Sequence, residues 1–378
     1  MYVHIPFCRR KCGYCDFYSL PVSGASPGLM PRYVSALLCH AAAWRRRCGR
    51  LAADTLYIGG GTPSLLPPVE LSRLVDGLRE AFNLPDCAEI SLEANPDSLG
   101  DGVLCAARQS GVNRLSVGVQ SFDDRLLRVL GRPHTASDAR AAIKRARRAG
   151  FSNISLDLMF GLPGQTRDKL ARSLDEAISF SPEHLSCYLL KLEPGTPLYE
   201  GQSALLLPGE KGQTEQYELL CARLNAAGYE HYEISNFARG GMRSRHNLKY
   251  WRGADYLGLG AGAHSLMCGR RFSYQRDVGS YIALALAGTT VPDDAAARTP
   301  LDTAEELIIT GLRTSDGVDL HEPALAALPN GPGALLPCAK RLSRAGLTSV
   351  RDGRIALTER GMWLSNAVIV ELLTAAGL

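Results

Sequence analysis

Three cysteines near the start of the chain, Cys8, Cys12 and Cys15, lie close enough in sequence to converge on one metal centre. Iron–sulfur clusters are held by cysteine thiolates at short spacings of this kind. Structural zinc usually takes a fourth protein ligand and commonly pairs two CxxC halves, and no second pair occurs here. Three thiolates on a four-iron cluster leave one iron open, so the pattern predicts a 4Fe–4S cluster able to bind a further ligand. Arg9, Arg10 and Lys11 stand between Cys8 and Cys12, and their charge is expected to favour thiolate over thiol. Cys39, Cys48, Cys87, Cys105, Cys187, Cys221, Cys268 and Cys338 follow no spacing rule. They read as reduced thiols, mostly small buried apolar groups.

Further polar groups recur at predicted strand ends. Gly59-Gly60-Gly61-Thr62-Pro63 lets backbone approach a ligand and offers N–H groups to a carboxylate or similar anion. Glu93-Ala94-Asn95-Pro96, Gln120-Ser121, Asp157 before Gly161-Leu162-Pro163-Gly164, and Glu193-Pro194-Gly195-Thr196 close the next four strands. Any one of these also serves as a cap or turn. Together they face the same way as the cysteines, and in parallel barrels the C-terminal rim carries the active site. Gly258-Leu259-Gly260-Ala261-Gly262-Ala263 matches the dinucleotide pattern by letter. It neither follows the first strand of a βαβ unit nor opens a long helix, so a close-packed turn is expected.

These groups need elements to position them. Strands are predicted over Tyr2–Ile5, Thr55–Ile58, Glu89–Glu93, Arg114–Val119, Asn153–Met159 and His184–Leu190, with a seventh extended piece near Tyr229–Ile234. Amphipathic helices alternate with them around Arg32–Arg45, Val69–Phe82, Gly102–Ser110, Ala136–Ala149, Arg167–Ile178 and Glu210–Ala226. Such alternation means βαβ crossovers and a parallel sheet covered on both faces, here an α/β fold with an incomplete (β/α)6 barrel. Beyond Pro300 the pattern changes to helices at Thr303–Thr314 and Leu335–Ala345. Strands Leu347–Val350 and Arg354–Leu357 flank Asp352-Gly353, and a last helix starts at Thr358. This is a winged-helix-like arrangement. The expected division is a barrel over 1–235, a connecting segment over 236–299 and the small domain over 300–378.

Composition narrows the function classes. The chain has 378 residues, is 46% hydrophobic and carries a net charge of +4, too modest to imply nucleic acid. Residues 300–378 hold seven Lys/Arg against nine Asp/Glu, so the wing is poorly suited to phosphate contacts. No run of eighteen apolar residues and no charged-then-apolar leader is seen, so a cytoplasmic protein is expected, with peripheral membrane contact left open.

Cys8-x3-Cys12-x2-Cys15 with the GGGTP stretch resembles the radical S-adenosylmethionine superfamily. Tyr2-Val3-His4-Ile5-Pro6-Phe7-Cys8 and Ser116-Val117-Gly118-Val119-Gln120-Ser121 are similar to the oxygen-independent coproporphyrinogen III oxidases and their heme-chaperone relatives, the HemW group. By motif, the resemblance implies that Tyr2, Gly60, Gly61, Thr62, Glu93, Gln120, Arg132 and Asp157 contact S-adenosylmethionine. The methionine amino and carboxylate groups would chelate the open iron, and one-electron reduction would cleave the sulfonium.

Three features separate oxidase from chaperone within this resemblance. The oxidase motif has a fourth cysteine where this chain has Phe17, and an N-terminal extension where this chain has seven residues. Arg245-His246-Asn247-Leu248-Lys249-Tyr250-Trp251 resembles the HNxxYW motif of the HemW group. His246 is therefore expected to ligate heme iron, with Tyr250 and Trp251 as walls. All three favour a binding and transfer protein that gives heme to apo-hemoprotein acceptors and receives it from a heme donor protein. The alternative is oxidative decarboxylation of coproporphyrinogen III by radical chemistry.

Replacing Cys8, Cys12 or Cys15 by Ala is expected to abolish four-iron cluster assembly, while replacing Cys187 or Cys338 leaves it intact. Iron and sulfide analysis of reconstituted protein checks this. Equal content in Cys12→Ala and the parent would defeat the assignment.

Overall fold

The computed structural model describes every residue except Ala25 and Asp294, and every side chain of the rest except that of Ser203. Strand β1 (Tyr2–Ile5) buries Val3 and Ile5 completely. Two short strands, β2 (Phe7–Cys8) and β3 (Leu20–Pro21), pair in parallel and clip the cysteine loop between them. From there α1 (Leu29–Cys48), β4 (Thr55–Gly60), α2 (Pro68–Ala81), β5 (Glu89–Ala94), α3 (Asp101–Gln109) and β6 (Arg114–Gln120) alternate. The chain continues through α4 (Asp124–Val129), α5 (Ala136–Arg148), β7 (Ile154–Phe160), α6 (Arg167–Ser179) and β8 (His184–Leu189). Helix starts carry side-chain caps where the sequence supplies them: Asp123 for α4, a Thr135/Asp138 capping box for α5 and Thr166 for α6.

Strands β1, β4, β5, β6, β7 and β8 are neighbours in that order and all parallel, a partial barrel that does not close. Outward-facing Leu56, Ile58, Ile90, Leu92, Leu115, Val117, Ile154 and Leu156 are fully buried under the helices. Burial of this apolar layer is the main stabilising term, at roughly 1.5–3 kcal/mol per large aliphatic side chain. The inward positions alternate with these, as a period of two requires. They are largely polar: Thr55, Tyr57, Glu89, Ser91, Glu93, Arg114, Ser116, Ser155, Asp157, His184 and Ser186.

Beyond β8, α7 (Pro197–Glu200) and α8 (Glu210–Ala226) lead to a hairpin of β9 (Glu230–Glu233) and β10 (Asn236–Ala238). The extended piece near Tyr229–Ile234 is thus not a seventh parallel strand. It joins the sheet only through β10, which runs antiparallel to β8. At the other edge, Gly258–Leu259 forms β11, parallel to β1. The glycine stretch is therefore a strand followed by a turn. A Cβ on Gly260 would lie 2.7 Å from the His4 carbonyl, so this stretch is closely packed against β1.

Helix α9 (Arg245–Trp251) plugs the N-terminal end of the barrel. The Glu89 carboxylate accepts the N–H groups of Arg245 (3.1 Å) and His246 (3.0 Å), a negative charge at a helix start. His246 is fully buried, its Nδ1 2.8 Å from Thr55 Oγ1 and its Nε2 2.8 Å from the Tyr250 hydroxyl. Its ring stacks on Tyr57 at 5.1 Å. Trp251 packs against a small cluster of Tyr232, Ala238 and Leu248.

The antiparallel strands β12 (His264–Met267), β13 (Arg270–Ser273) and β14 (Ala295–Ala297) form a small sheet, helix α10 (Val278–Leu286) packs on α1, and β13 meets α1 through Phe272 on Trp44. The last part comprises α11 (Pro300–Gly311), β15 (Val318–Asp319), α12 (Leu335–Arg344), β16 (Thr348–Arg351), β17 (Arg354–Leu357), α13 (Glu359–Trp363) and α14 (Ser365–Ala376). It has its own core around Ile308, Leu325, Leu342, Ile355 and Leu372. Asp352 (φ 49°) and Gly353 (φ 73°) make the expected tight turn between β16 and β17. Stacking of Trp363 on Tyr217 at 4.8 Å joins this core to α8.

His246→Ala should cost about 3–5 kcal/mol of stability, because it leaves a cavity and strips Thr55 and Tyr250 of their partner. Chemical denaturation checks this. An unchanged midpoint would remove the plug from the account.

Candidate functional site

The cysteine loop is tied down from three directions. Gly13 N–H donates to the Leu130 carbonyl at 3.0 Å, Leu198 N–H donates to the Gly13 carbonyl at 2.8 Å, and Phe7 is buried edge-on against Tyr33 at 5.2 Å. Cys12 is buried, while Cys8 and Cys15 are half-buried. Thr62 Oγ1 donates to Cys8 Sγ at 3.5 Å, and Arg132 Nη1 to Cys12 Sγ at 3.5 Å.

By sequence the intervening basic residues are expected to favour thiolate over thiol. The structure turns Arg9 to Asp97 (3.3 Å) and Arg10 to the Gly131 carbonyl (2.7 Å). Burial dominates instead and raises the pKa of both Cys8 and Cys15. Metal binding at such thiols displaces their protons. The guanidinium that touches Cys12 is that of Arg132, 120 residues away in sequence.

The three cysteines open onto a cavity of about 340 Å³ at the C-terminal ends of the strands. Gly60, Gly61, Thr62, Glu93, Gln120, Arg132 and Asp157 line it, so seven of the eight residues carried over by motif come together. Tyr2 does not. It lies at the opposite end of β1, bonds His4 Nδ1 through its hydroxyl (2.9 Å) and stacks on Tyr57 at 6.3 Å. Asn95, Ser116, Met159 and Tyr188 also line the cavity. Ser116, Met159 and Tyr188 had a signal in the sequence, because they stand two residues from Gly118, from Asp157 and from Ser186 on the inward face.

The lining is built for close approach and for charge. Gly60 has φ 114°, and a Cβ there would lie 2.6 Å from the His4 ring; one on Gly61 would lie 3.0 Å from Cys8 Sγ. Only glycine lets this loop pass beside the cysteines. Glu93 accepts from Gly60 N–H (2.9 Å) and the Tyr57 hydroxyl (2.7 Å). Asp157 accepts from Ser116 Oγ at 2.9 Å. Burial pushes Glu93 up to about 7 and Asp157 up to about 6. Both carboxyl groups are thus poised to ionise when a positive charge enters. Arg132 spans Asn95 Oδ1 (2.6 Å) and the Gly118 carbonyl (2.8 Å), and its buried Nε has no partner among the described residues.

These residues fit a three-thiolate cluster and a cofactor that carries both an anionic carboxylate and cationic ammonium and sulfonium groups. Such a cluster supplies an open iron and a one-electron donor when bound. Phe17, in place of a fourth cysteine, is 69% exposed on the rim.

His246 is not part of this site. It sits at the other end of the barrel with both ring nitrogens occupied, and burial holds its pKa well below the ordinary value. In this packing the imidazole expected to ligate heme between Tyr250 and Trp251 has both nitrogens bonded and no exposure.

The chain matches the radical SAM superfamily model over residues 2–177 and the HemN C-terminal domain model over residues 299–364. The heme chaperone HemW of Bacillus subtilis is 38% identical, with 97% of each chain covered. The protein of the same name from Escherichia coli is 40% identical over 70% of this chain and 69% of its own. Among solved structures, the radical SAM enzyme coproporphyrinogen III oxidase (HemN) of Escherichia coli superposes with a TM-score of 0.82 at 26% identity. That alignment covers 99% of this chain and 89% of the oxidase. Among the described residues, no helix is long and apolar enough to cross a membrane.

Asp157 gives a pH test. Its folded pKa, about 6, lies above the ordinary 3.8. Between these values the folded protein keeps a proton that the unfolded chain has released, so stability falls as pH rises from 4 to 6. The full cost above that window is about 3 kcal/mol. Urea titrations across this range should show a smaller decline in Asp157→Asn. The same variant should bind S-adenosylmethionine roughly ten- to a hundredfold more weakly, through loss of a charged partner. Parallel pH profiles and unchanged affinity would remove Asp157 from the site.

Proposed function

Since this chain belongs to the HemW family of the radical SAM superfamily, we propose that it is a heme chaperone, which binds heme and passes it to apo-hemoprotein acceptors. The observation that carries this reading is identity of 38% along 97% of the chain to a protein named heme chaperone HemW. The 4Fe–4S cluster would be held by Cys8, Cys12 and Cys15. S-adenosylmethionine would lie against Gly60, Gly61, Thr62, Glu93, Gln120, Arg132 and Asp157, where Glu93 and Asp157 meet its positive groups. Arg132 positions the cysteine loop and offers its free Nε to an anion. Donor protein, acceptors and cytoplasmic location follow from the same reading.

The second reading, oxidative decarboxylation of coproporphyrinogen III, has one observation in its favour, the TM-score of 0.82 to an oxidase. Phe17 speaks against it, because an exposed phenyl ring stands at the rim where the oxidase motif has a fourth cysteine.

Heme titration should give saturable binding of about one heme per chain, with His246→Ala leaving the Soret maximum in place. Anaerobic incubation of reconstituted protein with S-adenosylmethionine and coproporphyrinogen should give no protoporphyrinogen. Product formation without saturable heme binding would establish the oxidase instead.

A further inference from the structure

If the chain carries heme, as the preceding reading holds, a flat macrocycle with two propionates needs a place to lie. The cavity at the cysteines measures about 340 Å³ and is already committed to the cluster and its ligand. His246 is sealed at the other end of the barrel. A larger cavity, about 650 Å³, opens between helix α1 and the β12–β13 hairpin, on the side of the molecule where α10 packs. Both volumes fall within the usual range for small-molecule sites.

The lining of this second cavity is aromatic. Trp44 and Phe272 are stacked at 6.0 Å and 18°, and Tyr274 stands edge-on to Phe272 at 6.0 Å. Two cations stand on the lining, Arg47 and Arg270, both exposed. The Arg47 guanidinium lies over the Trp44 ring at 5.8 Å. Among the described residues neither arginine has a carboxylate partner, unlike Arg271 and Arg298, which share Glu306. Aromatic walls suit a planar apolar ring, and guanidinium groups pair with carboxylates in a bidentate fashion.

The lining also supplies soft ligands. His40 does not qualify, because its Nδ1 meets the Tyr281 hydroxyl (3.0 Å) and its Nε2 accepts from Trp44 Nε1 (3.2 Å). The thiols of Cys48 and Cys268 are exposed on the lining. Cys268 occupies the β12–β13 turn at φ 50°, a conformation few non-glycine residues adopt.

We propose that the cavity between α1 and the β12–β13 hairpin is the heme site: the macrocycle lies against Trp44 and Phe272, Arg47 and Arg270 take the propionates, and a rim thiolate ligates the iron. Ligation transfers the thiol proton to solvent and changes no oxidation state.

Cysteine footprinting tests this on the full chain. Cys48, Cys87, Cys105 and Cys268 are all exposed, so iodoacetamide should label all four in the heme-free protein. Saturating hemin should slow labelling of Cys48 and Cys268 at least tenfold and leave Cys87 and Cys105 unchanged. A Cys48→Ser/Cys268→Ser double variant should shift the Soret band. Arg47→Glu/Arg270→Glu should weaken hemin binding at least tenfold, with unaltered circular dichroism confirming that it folds. Saturable binding with unprotected Cys48 and Cys268 would overturn this site while leaving the chaperone reading standing. Absence of saturable binding in the unaltered chain would overturn both.

Discussion

The barrel mouth depends on one buried guanidinium. Arg132 follows α4, far from the cysteine loop in sequence, yet it bonds Cys12, Asn95 at the end of β5 and the carbonyl of Gly118 in β6. Burying such a charge without partners is prohibitive, so the loop, the two strand ends and the residues after α4 are obliged to meet. The backbone bond from Gly13 to Leu130 lies next to this contact and reinforces it. Loss of the guanidinium would free the cysteine loop and unpair two polar groups at once.

A chain of contacts links this mouth to the opposite end of the barrel. Glu93 holds the glycine loop through Gly60, Tyr57 donates to Glu93, and the Tyr57 ring stacks on His246, which bonds Thr55. The HNxxYW segment thus serves the site at a distance, as the floor under its polar interior. Buried networks of this kind are stabilising only when every member is satisfied. His246 meets that condition with both ring nitrogens bonded, to Thr55 and to Tyr250.

The sequence disclosed the architecture well where local rules decide it. Six strands, most of them closed by glycine or polar residues and separated by amphipathic helices, leave few alternatives to a parallel sheet, and the cysteine spacing points to its own chemistry. What it hid was tertiary. Tyr2 reads as a site residue by motif, yet it starts β1 and does not line the cavity, because a motif does not give a residue's height in the barrel. The two-residue strand β11 is below the length at which periodicity is detectable, and the extended piece near Tyr229–Ile234 is legible as β9 while its antiparallel pairing through β10 is not. His246 meets Thr55 across 191 positions, and no local pattern announces that contact. The α1–hairpin cavity joins residues from the first and last thirds of the chain, and is visible only when folded.

The picture that results keeps two jobs apart: a cofactor-holding mouth at one face of the barrel and an aromatic cavity elsewhere for the cargo. Equilibrium dialysis of S-adenosylmethionine against cluster-reconstituted protein, with and without saturating hemin, tests that separation most directly. The account predicts that one equivalent of each binds at the same time, with S-adenosylmethionine affinity unchanged by hemin. Competitive displacement of one ligand by the other would contradict it.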